Sequence, residues 1–190
     1  MPIILKGATS GQVTLDTPAV AGTNTITLPA STGTMQLLSL ATAQNTTSGT
    51  SIDFTSIPSW AKKITVMCNG VSTNGTSPSL IQIGTASGIE ITGYLSYYTV
   101  GATAGGSTAG FIFGANQAAA NSYSGHITLT FIGSNLWVTS SIYIGSLSAV
   151  GTIQAGSKTT AGVLDRLRLT TVNGTDTFDA GSVNILIEGN

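Results

Sequence analysis

Few side chains in this sequence offer chemistry. There is one histidine, His126, one cysteine, Cys68, and seven carboxylates: Asp16, Asp53, Glu90, Asp165, Asp176, Asp179 and Glu188. A hydrolytic triad needs a nucleophile, a histidine and an orienting acid, but the chain has no Gly-x-Ser-x-Gly turn. In His126-Ile-Thr-Leu-Thr-Phe131, alternation sets His126 opposite Ile127, Leu129 and Phe131, on the solvent side. One His and one Cys fall short of a zinc tetrad. The stretch from Gly151 to Thr159 approaches a phosphate-binding loop, yet Ser157 separates Gly156 from Lys158. No helical pattern follows it to receive a phosphate. Glycoside hydrolysis needs two acids across a groove, and the spacing of the seven acids neither creates nor forbids such a pair. The oxygen-rich stretch Asn173-Gly-Thr-Asp176-Thr-Phe-Asp179 could hold calcium loosely, although Asn173 and Asp176 equally suit the shaping of a turn. The residues therefore predict no catalytic centre, no cofactor and no dedicated metal site, and the expectation is a protein that is not an enzyme.

Aromatic side chains offer a different chemistry, stacking on the apolar face of a sugar or anchoring a subunit interface. The candidates are Tyr94, Tyr97, Tyr98, Trp137 and Tyr143. Trp137 and Tyr143 share one face of the stretch from Leu136 to Ile144, opposite Leu136, Val138, Ile142 and Ile144. One of these faces is core; if it is the aliphatic one, the two aromatics are exposed or lie between subunits. Lys62-Lys63 and the alternating pair Arg166 and Arg168 read as solvated or inter-subunit charges.

These side chains belong to a chain in which charged residues make up only 7%, against roughly 25% in an average soluble protein. Six basic and seven acidic residues form no stripe that could neutralise a run of phosphates, so nucleic acid is not an expected partner. The polar remainder is Ser, Thr, Asn and Gly, a vocabulary of strand surfaces and bends. A lone cysteine forms no intrachain disulfide. In Lys63-Ile-Thr-Val-Met-Cys68, alternation places Cys68 beside Ile64 and Val66 as a buried apolar thiol. The N-terminal Met-Pro-Ile-Ile-Leu-Lys6 lacks the basic region and long apolar core of a signal peptide. No apolar run approaches the roughly 18 residues of a membrane span.

The elements that must carry these residues are strands. The region from Gln117 to Ala120 offers at most a turn of helix. Residues 1–44 alternate short apolar runs, Val13-Thr-Leu15 and Ile26-Thr-Leu28, with Pro, Gly and Thr turns, and hold too little apolar surface to bury a core alone. They predict an extended N-terminal β-arm that attaches or oligomerises, followed by a domain over residues 45–190. Within that domain, Asn69-Gly70, Asn74-Gly75, Gly133-Ser-Asn135 and Asn173-Gly174 mark turns, Asn69-Gly70 being a hairpin signal. The low-complexity residues 101–110 read as a hairpin tip. About eight to ten strands separated by such turns predict an all-β fold, an antiparallel β-sandwich of jelly-roll type.

Three segments resemble sequences that recur in tail-fibre and other surface proteins of tailed-phage virions. The first runs from Gly11-Gln-Val-Thr-Leu15 through Ile26-Thr-Leu-Pro-Ala30 to Thr34. The second runs from Ser51 through Ile57-Pro-Ser-Trp60 and Lys63-Ile-Thr-Val-Met67 to Asn74-Gly-Thr76. The third runs from Arg166-Leu-Arg-Leu169 through Asn173-Gly-Thr-Asp176 to Val183-Asn-Ile-Leu-Ile187. Together they span about two-fifths of the chain; residues 85–160 carry no such likeness. The resemblance implies a structural virion protein, a small tail or head fibre or a capsid decoration, commonly a homotrimer. It also implies an N-terminal segment that contacts other virion proteins, and host surface polysaccharide as a further partner for adhesion. Such a protein is made in the host cytoplasm, does not insert into membrane, and leaves by lysis.

Overall fold

The computed structural model describes residues 3–15, 36–115, 118–147 and 151–190. The second short run of the N-terminal region (Ile26 and Leu28), its turns, Asp16 and Gln117 lie outside these. The chain divides into two compact units, Met1–Thr34 and Met35–Asn190. In the first, β1 (Ile3–Lys6) and β2 (Gln12–Leu15) form an antiparallel hairpin with Ile4 opposite Thr14.

The second unit is an antiparallel β-sandwich, with no helix among the described residues. In chain order its strands are β3 (Leu37–Leu40), β4 (Gln44–Asn45), β5 (Ser51–Phe54), β6 (Ala61–Thr73), β7 (Ser79–Thr85) and β8 (Gly88–Ile89). They continue with β9 (Leu95–Val100), β10 (Thr103–Ser107), β11 (Phe111–Phe113), β12 (Tyr123–Gly133) and β13 (Leu136–Gly145). The last are β14 (Thr152–Thr159), β15 (Arg166–Thr171) and β16 (Phe178–Gly189). A nine-stranded sheet runs β10-β9-β14-β13-β12-β6-β16-β3, with β4 also on β16; a five-stranded sheet runs β11-β7-β15-β5, with β8 on β7. Residues 37–44, assigned to the arm on sequence grounds, thus belong to the sandwich: β3 and β4 both pair with β16.

The core follows from alternation across paired strands. On the large sheet Ile127 lies opposite Val66, and Leu129 opposite Ile64; Ile185 and Ile187 flank the same pair from β16. On the small sheet Leu169 lies opposite Ile81, Leu167 opposite Ile83, and Phe111 opposite Ile81 from the other side. All of these are buried. Strand β7 is buried on both faces: Leu80 turns away from the main core and joins Ile112, Val100 and Ala115 in a second, smaller cluster.

Asn69-Gly70, read from sequence as a hairpin, is instead a β-bulge within β6. Where β12 advances two residues, from Tyr123 to Gly125, β6 advances three, from Val71 to Cys68. The other neighbour agrees, since Ala180 pairs with Ser72 and Ser182 with Asn69. Gly70 takes φ 63°, a left-handed conformation that glycine adopts without strain. The extra residue changes the phase of alternation: Ile64, Val66 and Cys68 point inward before it, Val71 and Thr73 after it. The turn expected at Gly133-Ser-Asn135 forms between β12 and β13 as a two-residue turn of Ser134 and Asn135, with φ 48° and 60°, their twist matching that of the strands. Residues 118–121 close a single turn, Asn121 N–H to Ala118 O at 2.8 Å. Cys68 is buried, as alternation predicts.

Burial keeps several protons in place. It pushes the Cys68 thiol up to about 12, the Tyr123 and Tyr143 hydroxyls up to about 12, and the Tyr94 hydroxyl further still. A group whose folded pKa is raised stabilises fully below its unfolded value and loses that contribution as pH climbs. The thiol thus begins to cost stability above about pH 8.5 and the tyrosines above about pH 10. The urea midpoint should therefore hold steady from neutral pH to about pH 8 and then decline, with Tyr94, Tyr123 and Tyr143 ionising only as the chain unfolds. Ellman's reagent at pH 8 should leave Cys68 untouched until denaturant is added. Prompt native labelling would contradict its burial.

Candidate functional site

The five aromatics separate into two groups. Trp137 and Tyr143 are on the buried face of β13, 3% and 2% exposed, while Ile142 and Ile144 on the opposite face are 60% and 52% exposed. The alternation is as read from sequence, but the aromatic face is the core one. The Tyr143 ring packs on Phe113 at 4.8 Å and on Tyr123 at 6.0 Å, and its hydroxyl accepts the Ala115 N–H at 3.2 Å. Trp137 lies 5.3 Å from Phe131. Tyr94 is buried edge-on against Phe111 at 5.0 Å, its hydroxyl accepting the Ile83 N–H at 2.7 Å and lying 2.8 Å from the Glu90 carbonyl oxygen. None of these three rings offers a face to a sugar, which corrects the stacking expectation for Tyr94, Trp137 and Tyr143.

Tyr97 and Tyr98 are placed differently. They pair across the sheet with Gly106 and Gly105. A side chain added at Gly106 would meet the Tyr97 ring at 2.9 Å, so the glycine makes room for that ring. Tyr98 turns inward against the small cluster. Tyr97 turns outward, 64% exposed, at a shallow groove of about 300 Å³ that Ile153, Ala155 and Ala104 help to line.

Around Tyr97 the sheet has reversed polarity. Strand β14 buries Thr152, Gln154 and Lys158 and exposes Ile153; β13 buries Thr139 and Ser141 beside its aromatics; β9 buries Ser96 and exposes Leu95 and Tyr97. The buried polar groups partly satisfy one another. Gln154 Nε2 donates to Thr139 Oγ1 at 3.1 Å and to Ser96 Oγ at 3.3 Å, and Ser96 Oγ accepts the Ile112 N–H at 3.1 Å. Ser141 Oγ, Gln154 Oε1 and Trp137 Nε1 are buried without a hydrogen-bond partner. Outside, registers align a row Thr99–Ile153–Ile142–His126–Met67–Asn184 and, beside it, Tyr97–Ala155–Ser140–Thr128–Thr65–Leu186. Neither row contains Asp, Glu, Lys or Arg. His126 is exposed, as alternation predicts, in the middle of this face.

Among the described residues the carboxylates do not converge on a groove. Asp53 holds Arg168 through two bonds of 2.7 Å, tying β5 to β15. Asp165 pairs with Arg166 at 2.9 Å and Glu188 with Lys63 at 2.8 Å. Lys62 lies 4.7 Å from the Phe131 ring centroid. Glu90 meets Lys158, a lysine only 8% exposed, at 2.6 Å. Its other oxygen accepts the Ala161 N–H at 2.8 Å, and Lys158 also lies over the Tyr94 ring. Asp176 accepts Asn173 Nδ2 at 2.6 Å and the Ser77 N–H at 2.9 Å, bonds that lower its pKa in that order. It clasps the turn at Asn173-Gly174 to the one at Asn74-Gly75. Asp179 is exposed on β16. Among the described residues no three His, Cys, Asp or Glu side chains group closely enough to hold a metal ion, and no helix is long and apolar enough to cross a membrane.

No protein-family model, no curated protein and no solved structure matches the chain.

The missed surface residues, Leu95, Ile142, Ile144 and Ile153, had a signal in the sequence. On β14 Ile153 alternates with Thr152 and Gln154, while on β9 and β13 the alternate positions mix Ser96, Thr139 and Ser141 with Tyr98, Val100, Trp137 and Tyr143, so the phase is readable but the core side is not. The ion pairs generate a contrast in stability. Glu90→Gln strands the buried Lys158 charge and should lower the unfolding free energy by about 2–4 kcal/mol. Asp53→Asn, which breaks a pair one-third exposed on each side, should cost about 1 kcal/mol or less. Urea denaturation of the two variants measures both, and equal losses would remove the distinction.

Proposed function

We propose that the chain is a structural, non-enzymatic surface protein of a tailed-phage particle, a homo-oligomer and most simply a homotrimer, that forms a small tail or head fibre. In this reading a jelly-roll-like sandwich projects outward and the N-terminal β-arm contacts other virion proteins. The resemblance of residues 11–34, 51–76 and 166–187 motivates the assignment. The observation that carries the assembly part is the exterior: large apolar side chains such as Leu38 (68% exposed), Leu40 (64%), Tyr97 (64%) and Ile142 (60%) stand in water on a chain with few charges to offset them. Exposed apolar surface of this kind marks contact with other macromolecules, and uncharged contacts suit a permanent assembly better than a steered encounter.

A capsid-decoration role uses the same surfaces and differs in the partner that the arm meets. A carbohydrate-binding role has one specific support, the outward ring of Tyr97 at its shallow groove.

Sedimentation equilibrium on the full chain and on a chain lacking residues 1–34 tests the reading. The full chain should sediment as a multimer whose mass is unchanged between about 0.05 M and about 1 M salt, because screening has few charges to act on. A monomer at every concentration would remove self-assembly from the function. Loss of the multimer on truncation would assign the contact to the N-terminal segment. Collapse in moderate salt would contradict an uncharged interface.

A further inference from the structure

We infer that the outer face of the large sheet, from β9 across β14, β13 and β12 to β6 and β16, is the surface on which a second copy of this chain docks. This rests on the assembly reading above and gives it a location. The first argument is polarity. Strands β9, β13 and β14 put Ser96, Ser141 and Gln154 inside beside Val100, Trp137 and Tyr143, and Leu95, Ile142 and Ile153 outside, so large apolar side chains stand on both faces, unlike a sheet whose outer face meets water. The arrangement makes sense when the outer face is itself buried.

The second argument is size. Six neighbouring strands about 4.8 Å apart, each contributing about eight residues at about 3.3 Å per residue, make a face of roughly 750 Å². A stable, specific interface takes about 800 Å² from each partner.

The third argument identifies the occupant. The central rows carry no Asp, Glu, Lys or Arg, and at the far edge Lys63 and Glu188 neutralise each other at 2.8 Å. A charged partner would find nothing to pair with. A glycan would meet donors and acceptors at Thr99, His126, Asn184, Ser140, Thr128 and Thr65, but interleaved with Ile153, Ile142, Met67 and Leu186 on an open face rather than gathered in a concave site, and the test below separates it from a second copy. Another copy brings the same uncharged face, able to bury its apolar side chains and to pair its hydroxyls, with Lys63 and Glu188 already paired. Two such faces meeting directly would close as a two-fold pair; in a trimer the three faces would instead meet around the three-fold axis, each touching part of both neighbours.

The test uses the full chain. Because Cys68 is buried, an introduced surface thiol reports alone. Ile153→Cys on this face is compared with Val163→Cys, which is 59% exposed elsewhere. In the assembled protein, maleimide should label Ile153→Cys at least about tenfold more slowly than Val163→Cys, and at a matching rate once the protein is diluted to monomer. Ile142→Lys should sediment as a monomer with an unchanged far-ultraviolet circular dichroism spectrum, while Val163→Lys should stay multimeric. Equal labelling of the two thiols in a wild-type-sized multimer would overturn the location and leave self-assembly standing. An unmodified chain that is monomeric at all concentrations would overturn both, and specific binding of a neutral glycan by that monomer, lost in Tyr97→Ala, would give the face to a sugar.

Discussion

Two sheets of unequal width face each other in this sandwich, and most of its unusual features follow from that mismatch. Five strands cannot cover nine. The small sheet packs its apolar residues, Ile81, Ile83, Leu167 and Leu169, against Ile64, Val66, Ile127, Leu129 and Ile185 of the large one. Beyond β12 the large sheet continues through β13, β14, β9 and β10, where, among the described residues, the short β11 is the strand of the small sheet that contacts it. There the interior is furnished with groups that bond to one another: Gln154 with Thr139 and Ser96, and Tyr143 with the backbone of Ala115. A polar inner face needs less complete apolar cover than an aliphatic one, although here the pairing is partial, Ser141 Oγ, Gln154 Oε1 and Trp137 Nε1 having no partner.

The pair Glu90–Lys158 belongs to the same border. Lys158 comes from an inward position of β14, where a lysine must be paired or snorkel to water. It meets Glu90, whose second oxygen holds the Ala161 amide. Tyr94 closes the arrangement from the other side, anchored to Ile83 and stacked beneath the ammonium. Ion pair, aromatic and loop amides together seal the edge of the core where strands run out. The carboxylate is engaged on both oxygens, which suits a structural fastening better than proton transfer.

How much of this could be read in the sequence depended on whether the signal was local. The hairpin at Ser134-Asn135 is a local matter of backbone twist, and it was legible. The exposure of His126 and the burial of Cys68 were legible too, because their neighbours are unambiguously apolar on one side. Asn69-Gly70 carried a genuine left-handed glycine signal, but a bulge uses the same conformation as a turn, and only pairing on both sides of β6 separates them. Strand β14 was overlooked because Thr152, Gln154 and Lys158 face inward, so its pattern resembles a polar loop. Trp137 and Tyr143 show the limit most clearly: alternation defines two faces, but which one is core depends on Phe113 and Tyr123, whose contacts arise from the tertiary fold. The same dependence hid the candidate surface, since Ile142 and Ile153 look like core residues until their neighbours are placed.

A chain with charged residues at 7% has little electrostatic repulsion to keep copies apart, and net charge near zero favours association. With Ile142, Ile153, Leu95 and Tyr97 exposed on one face, association would be indiscriminate unless a particular geometry won. The pleat supplies one. Side chains on a sheet face project in rows at fixed spacing, so two such faces interlock in few relative positions. Strand β3 adds a different hazard: among the described residues it is an edge strand, and an edge with Leu37, Leu38 and Leu40 exposed is a template for further strand pairing. In the proposed particle, covering the sheet face with a neighbouring copy and leaving the edge for a strand of another chain would use both surfaces at once. Apolar area would then set the strength of the assembly, and backbone hydrogen bonding its direction.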